Sequence, residues 1–179
     1  MPTPLTDEQI FCLADCDEYE KYRIARQDFE RDVCTFCEPD PILNDVLFED
    51  PCGSPSIVVW HAHEQFKRKD LLWQFLIVPT RHVRFPWELN GEENHSVFVV
   101  NRWLNEHFEL RGGMFFARFG DMRLNAGTIP HLHWNLWVPL EGSEVRIPIS
   151  KGMAHRDRNR ERMAWFAEQY EAEKKLEGA

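Results

Sequence analysis

From Asn125 to Trp137 the chain reads Asn125-Ala126-Gly127-Thr128-Ile129-Pro130-His131-Leu132-His133-Trp134-Asn135-Leu136-Trp137, with a polar or aromatic residue at every second place from His131 onward. An extended strand sends alternate side chains to opposite faces, so His131, His133, Asn135 and Trp137 share one face and Leu132, Trp134, Leu136 and Val138 the other. Neighbours in that row stand roughly 6.5 to 7 Å apart, near enough for two to act on adjacent atoms of one ligand. An imidazole with its ordinary pKa of about 6.5 is largely neutral at neutral pH and can act as nucleophile, base or metal ligand. The plainer alternative is a strand bearing two surface histidines.

A second group is Cys34-Thr35-Phe36-Cys37, whose two-residue gap lets both thiolates reach one tetrahedral zinc at about 2.3 Å. That is half a site. His61, His63, His82 and His131 are candidates for the other half, and spacing does not choose among them. A redox pair would open a helix after a buried strand, whereas this one follows a charged segment and precedes a proline-rich one. Two unrelated thiols remain the simplest alternative.

The elements that must carry these residues can be read from period and punctuation. Thr6 and Gln9 form a capping box, and Asp7 to Phe29, free of proline, predicts one or two helices. Pro39, Pro41, Pro51 and Pro55 bar a long helix between Cys34 and Pro55, leaving room for a short strand at Val46 to Phe48. Ile57 to Trp60 and Trp73 to Val78 read as strands joined by a hairpin-like loop, the second ended by Pro79. Asn90 and Glu93 form another capping box, and Val97, Val100, Leu104 and Phe108 recur as one buried helical stripe stopped by Gly112 and Gly113. Strands follow at Met114 to Phe119, His131 to Val138 and Val145 to Ile149, with a turn at Gly120 and Asp121. Met163, Phe166, Ala167 and Tyr170 mark a C-terminal helix. The layout is α+β, with a mostly antiparallel sheet of about five strands, a long packed helix and terminal helices.

Composition bounds the function. The 179 residues, 43% hydrophobic and 13% aromatic, suffice for one packed domain over 1–179. Within it a core spans about 34–148, between an N-terminal helical extension at 1–33 and a C-terminal helix at about 154–176. With 21 Lys plus Arg against 30 Asp plus Glu the formal charge is −9, which argues against a nucleic-acid or membrane partner, so any anion site is local. No apolar run has the length of a membrane span, and the start lacks the pattern of a secretory signal. Five cysteines, an odd number at loose spacing, suit a reducing, cytoplasmic setting.

The segment His131-Leu132-His133-Trp134-Asn135-Leu136-Trp137 resembles the histidine-triad (HIT) signature, His-x-His-x-His/Gln followed by two apolar residues. Cys34-Thr35-Phe36-Cys37 resembles the Cys-x-x-Cys of the zinc-binding branch, and Phe75-Leu76-Ile77-Val78-Pro79-Thr80-Arg81-His82 its Leu-Val-Ile-Pro-Lys-x-His segment. Order and separation agree over roughly residues 34 to 140. The resemblance implies a HIT-like fold and a structural Zn2+ held by Cys34, Cys37, His82 and His131. It implies a nucleotide hydrolase or a nucleotidyl transferase or phosphorylase. In such enzymes His133 would attack the α-phosphorus of a nucleotide and form a nucleotidyl-histidine that water, phosphate or another acceptor resolves. Dinucleoside polyphosphates, nucleoside phosphoramidates and nucleotide sugars are the substrate classes it suggests, and a two-fold homodimer is a common assembly of the fold.

The phosphoryl oxygens of that step need preorganised donors, which Thr128, the amides near Gly127 and the Asn135 amide supply; Arg81, Arg118 and Arg123 are candidates for charge. Asn135 departs from the family pattern. An amide donates a hydrogen bond but is no acid near neutral pH, and asparagine is one methylene shorter than glutamine. The alternative is therefore a nucleotide-binding protein with weakened catalysis. His61 and His63 read as an exposed strand end; Trp60, Phe36 and Trp134 as core aromatics or base-stacking rings. Arg156, Arg158, Arg160 and Arg162 read as a charged helix face, and Cys12 and Cys16 as small apolar residues.

Overall fold

The computed structural model describes residues 5–38, 44–48, 56–62, 67–125, 127–147, 149 and 157–177. The architecture is α+β. Five antiparallel strands form one sheet in the order β1-β2-β3-β5-β4: β1 (Asn44–Phe48), β2 (Ile57–Ala62), β3 (Leu71–Pro79), β4 (Met114–Arg118) and β5 (His133–Pro139). The α-helices are α1 (Asp7–Asp15), α2 (Tyr19–Arg31), α3 (Gly91–His107), the short α4 (Met122–Asn125) and α5 (Arg160–Glu177).

The chain clusters into two compact units. One comprises residues 36–120 and 131–147, the other residues 1–35, 121–130 and 148–179.

In the sheet unit, α3 covers one face. Val97, Val100 and Leu104 pack with Ile57 and Val59 of β2, Phe75 and Ile77 of β3 and Leu136 of β5. The helical stripe and the strand alternation thus meet as their periods require. The start of α3 is fixed by the predicted capping box: Asn90 Oδ1 accepts from Glu93 N at 2.9 Å and Glu93 Oε2 from Asn90 N at 2.8 Å. Glu93 is 3% exposed yet charged, because Arg81 donates from Nε at 3.0 Å and from Nη2 at 2.7 Å. The helix stops earlier than Gly112 and Gly113 suggest. Phe108 is its C-cap, and Glu109 takes a left-handed φ of 48°.

Gly120 ends β4 in a turn at φ 75°. Its N–H donates to the Arg84 carbonyl at 3.0 Å, and a Cβ there would lie 2.8 Å from Phe85 Cε1. Phe119, expected in the strand, lies just beyond it. Two further boundaries differ from expectation. The last strand begins at His133 rather than His131, because Leu132 N–H bonds the Val83 carbonyl at 2.7 Å instead of joining the β4 ladder. Of the strand expected at Val145 to Ile149, Pro148 lies outside the described residues and Val145, Arg146 and Ile147 form no strand; the Arg146 carbonyl accepts from the Arg68 side chain at 3.2 Å.

The helical unit is built on Leu13, Cys16, Tyr22, Phe166 and Tyr170. Cys12 and Cys16 are buried apolar residues, as expected, and desolvation pushes the Cys16 thiol up to about 12. Arg160 pairs with Asp157 at 3.2 Å and Arg162 Nη2 donates to the Ala14 carbonyl at 3.3 Å, so these two members of the basic run are structural. Arg156 lies outside the described residues, as do Pro39, Pro41, Pro51, Pro55 and His63. Among the described residues no helix is long and apolar enough to cross a membrane.

Gly120→Ala should cost about 1–3 kcal/mol of stability, through left-handed backbone strain and the Phe85 contact; an unchanged urea midpoint would contradict this. The Arg81 hydrogen bond holds the Glu93 carboxyl below the usual carboxylate range. Its contribution is therefore present above the unfolded value of about 4.3 and is lost as pH falls through the lower folded value. Glu93→Gln should melt lower at pH 7 and show a shallower decline of melting temperature with acid than the parent protein.

Candidate active site and metal centre

The face of the sheet away from α3 carries His133, Asn135 and Trp137. Register sets it: His133 stands opposite Arg118 of β4, and Asn135 opposite Phe116 of β4 and Leu76 of β3. His133 and Asn135 are buried, as is Trp137 beyond them. Phe36 closes over this face, its ring 5.0 Å from that of His133 and nearly perpendicular to it, and 5.1 Å from Trp60.

His133 Nδ1 lies 2.8 Å from the His131 carbonyl oxygen. A carbonyl only accepts, so Nδ1 carries the proton and Nε2 the lone pair. Burial pushes the His133 pKa down to about 4, the nearby Arg118 charge adding to the effect while the bond to His131 opposes it. The ring is neutral throughout the physiological range, as a nucleophile or ligand must be.

His131 precedes the strand and is positioned by a different device. The Leu132–Val83 hydrogen bond sets residues 131 and 132 beside 82 and 83, bringing the rings of His131 and His82 to 4.8 Å between centroids. His131 Nε2 donates to the Pro79 carbonyl at 3.1 Å, which leaves its Nδ1 unprotonated, 3.7 Å from Cys37 Sγ. Burial, with the neighbouring His82 and His133, pushes the His131 pKa down to about 4. Cys37 Sγ is also 3.4 Å from His82 Nδ1. The ligand atoms of Cys34, Cys37, His82 and His131 all lie within 4.8 Å of one another.

These residues fit zinc. Tetrahedral coordination with Zn–S of about 2.3 Å and Zn–N of about 2.05 Å makes each S···N edge about 3.6 Å. The two measured edges, 3.4 and 3.7 Å, bracket that value. The donation of His131 Nε2–H to a backbone carbonyl is the outer-shell bond that orients a metal-bound imidazole. Two thiols and two imidazoles form the donor set of closed, structural zinc sites.

Other candidates fall elsewhere. His61 is buried rather than exposed and lies on the α3 face, its ring 5.5 Å from Trp73 and 5.6 Å from Phe75. Neighbouring strand residues alternate in face, so His61 points away from the metal group. Trp134 packs on the α3 side, whereas Trp60 and Phe36 lie on the His133 side. Arg81 pairs with Glu93 and Arg123 with Asp121; Arg118 stands opposite His133, its guanidinium 5.7 Å over the Phe116 ring. Gly127 is buried and Thr128 half-buried, in the segment that clusters with the helical unit. Sequence reasoning missed the Leu132–Val83 and His131–Pro79 bonds; Pro130 before His131 was the one sign of a break in the strand.

No family model and no curated protein matches the sequence. Solved structures do. A HIT-like protein involved in cell-cycle regulation from Bartonella henselae is 14% identical, with 74% of this chain and 92% of that one covered at a TM-score of 0.43. A hypothetical histidine triad nucleotide-binding protein from Sulfolobus tokodaii is 16% identical, covering 76% and 93% at 0.47. A zinc-bound histidine triad family protein from Mycobacterium smegmatis is 17% identical, covering 78% and 96% at 0.43. Two of these three are described as histidine triad proteins and one as HIT-like, and one of the three is zinc-bound. This chain itself brings a Cys-x-x-Cys and two histidines able to hold a metal into one group.

Protein purified without chelators should hold one zinc, and EDTA should lower its melting temperature. Cys37→Ser should lose zinc affinity by more than the roughly 10–100-fold that outer-shell changes cost. Substoichiometric zinc together with EDTA-insensitive melting would reject the four-ligand site.

Proposed function

We propose that this chain is a nucleotide hydrolase or a nucleotidyl transferase or phosphorylase, acting at the α-phosphate through a covalent intermediate on His133. The observation that carries the reading is the bond from His133 Nδ1–H to the His131 carbonyl, in a buried ring whose pKa is pushed down to about 4. It leaves Nε2 with a lone pair and no proton, on the face that Asn135 and Arg118 share. The order and spacing of the three sequence motifs supply the nucleotide half of the reading.

In the first step the Nε2 lone pair forms a bond to the α-phosphorus, and the bond from phosphorus to the distal part breaks, its electron pair leaving with that part. In the second, an oxygen of water or phosphate attacks the same phosphorus, an attacking water releasing its proton to solvent, the N–P bond breaks, and its pair returns to Nε2. Nδ1 keeps its proton throughout, and the His131 carbonyl stabilises the positive charge that the ring gains in the intermediate. Asn135 and Arg118 donate to the phosphoryl oxygens as charge builds there; the sequence adds Thr128 and the amides near Gly127 as further donors. Cys34, Cys37, His82 and His131 would hold zinc with four protein ligands, and the ion would then supply structure rather than a reactive water, steadying the segment whose carbonyl orients His133.

A second reading, nucleotide binding without turnover, rests on Asn135, an amide where an acid would assist departure. The remaining proposals follow from these two. The ligand is a small nucleotide. A two-fold homodimer would use the sheet edge or the exposed side of α3, where Phe98 is 68% exposed. A reducing compartment such as the cytoplasm would keep Cys34 and Cys37 as metal-binding thiols, and both are unbridged here.

Incubation with a nucleotide panel, alkaline denaturation and intact mass measurement should reveal a nucleotidyl adduct on His133. His133→Ala should lose the adduct and at least about 1000-fold in turnover while keeping zinc and fold. Full activity in that variant would reject the enzyme assignment, and binding with no adduct would select the second reading.

A further inference from the structure

The face that carries His133 also holds three buried N–H donors with no acceptor among the described residues: Trp60 Nε1, Asn135 Nδ2 and Trp137 Nε1. These residues are 1%, 4% and 7% exposed. Register places them together. Trp60 stands opposite Leu76, Leu76 opposite Asn135, and Trp137 follows two residues along β5. Buried donors without partners are uncommon, and three on one face beside a candidate nucleophile point to acceptors that the chain itself does not provide.

The same face is poor in acceptors. Its residues on β2 to β5 include no carboxylate, and Gln74, opposite Trp137, has its Oε1 engaged by the Arg68 N–H at 3.0 Å. Arg118 stands opposite His133 at one end; at the other the Arg68 guanidinium, paired with Asp70, lies 5.0 Å over the Trp137 ring. A hydroxyl or amine beside the two indoles would find no carboxylate on these strands for its own protons. A phosphoryl oxygen needs only donors.

Resting on the function proposed above, we infer that Trp60 and Trp137 are specificity-determining donors whose indole N–H groups take oxygens of the departing part of the substrate. That part is an anionic, acceptor-only chain of linked phosphates. The four-residue step from His133 to Trp137 spans roughly 13 Å, more than one phosphate covers.

The test uses the full-length zinc-loaded protein and two substrates with the same nucleoside, one expelling pyrophosphate and one expelling an amine. Calorimetric titration with inorganic tripolyphosphate is the probe independent of turnover. Trp137→Phe and Trp60→Phe remove the N–H groups, and benzothienylalanine at position 137 replaces N–H by sulfur without changing the ring's shape, so a packing defect is told apart from a lost donor. The parent protein should favour the pyrophosphate-expelling substrate. Each replacement should lower kcat/KM for it, and tripolyphosphate affinity, about tenfold, while changing the amine-expelling substrate less than about threefold. Equal losses on both substrates, or tripolyphosphate affinity unchanged by the replacements, would overturn the inference. If no substrate turns over yet tripolyphosphate binding still depends on the indoles and survives His133→Ala, the enzyme reading fails and the donor assignment stands.

Discussion

One residue, His131, serves two partners through its two ends. Its carbonyl accepts the Nδ1 proton of His133, while its ring gives the Nε2 proton to Pro79 and turns Nδ1 toward Cys37. Each bond to a carbonyl fixes one tautomer, and the two tautomers are opposite: His131 keeps its lone pair on Nδ1, His133 on Nε2. A slip of one residue here would carry His133 to the α3 face, because strand side chains alternate with a period of two. The Leu132–Val83 bond and the Arg118–His133 register prevent that slip.

Burial then serves both rings. Desolvation disfavours the imidazolium, so His131 and His133 are each pushed down to about 4, and a neutral ring is what both metal binding and attack on an electrophile require. Phe36 joins the two demands. It lies between the two cysteines, yet its ring contacts both histidine rings, at 5.9 Å from His131 and 5.0 Å from His133. The Cys-x-x-Cys turn is therefore a source of ligands and part of the cover over the adjoining histidine.

Much of this was legible in sequence. Period two along His133 to Val138, the helical stripe of α3 and both capping boxes are local signals, and the structure follows them. What was not legible depends on the partner that a segment finds. His131 looks like a strand residue until Leu132 bonds Val83 instead of β4. His61 looks like an exposed strand end until β2 is seen as an interior strand, flanked by β1 and β3, with that residue turned toward α3. Val145 to Ile147 have strand-forming residues and form no strand, the Arg146 carbonyl accepting from the Arg68 side chain. Trp60 gave no sign of its face, because Ile57 to Trp60 are apolar at every position and alternation cannot be read there.

Asn135 and the indole donors bear on one another. On the proposed reading, a histidine in that position could protonate a departing group and an amide cannot, which favours groups that leave readily as anions. Amines and sugar alkoxides are too basic to depart readily without a proton. A phosphate chain departs as a weakly basic anion whose oxygens ask only for donors and positive charge. Asn135 Nδ2, Trp60 Nε1 and Trp137 Nε1 are donors with no acceptor among the described residues, and Arg118 brings charge to the same face. On the proposed reading, replacing the acid by an amide is therefore a choice of leaving group: the same substitution that weakens departure of basic groups costs little for a group that never needed the proton.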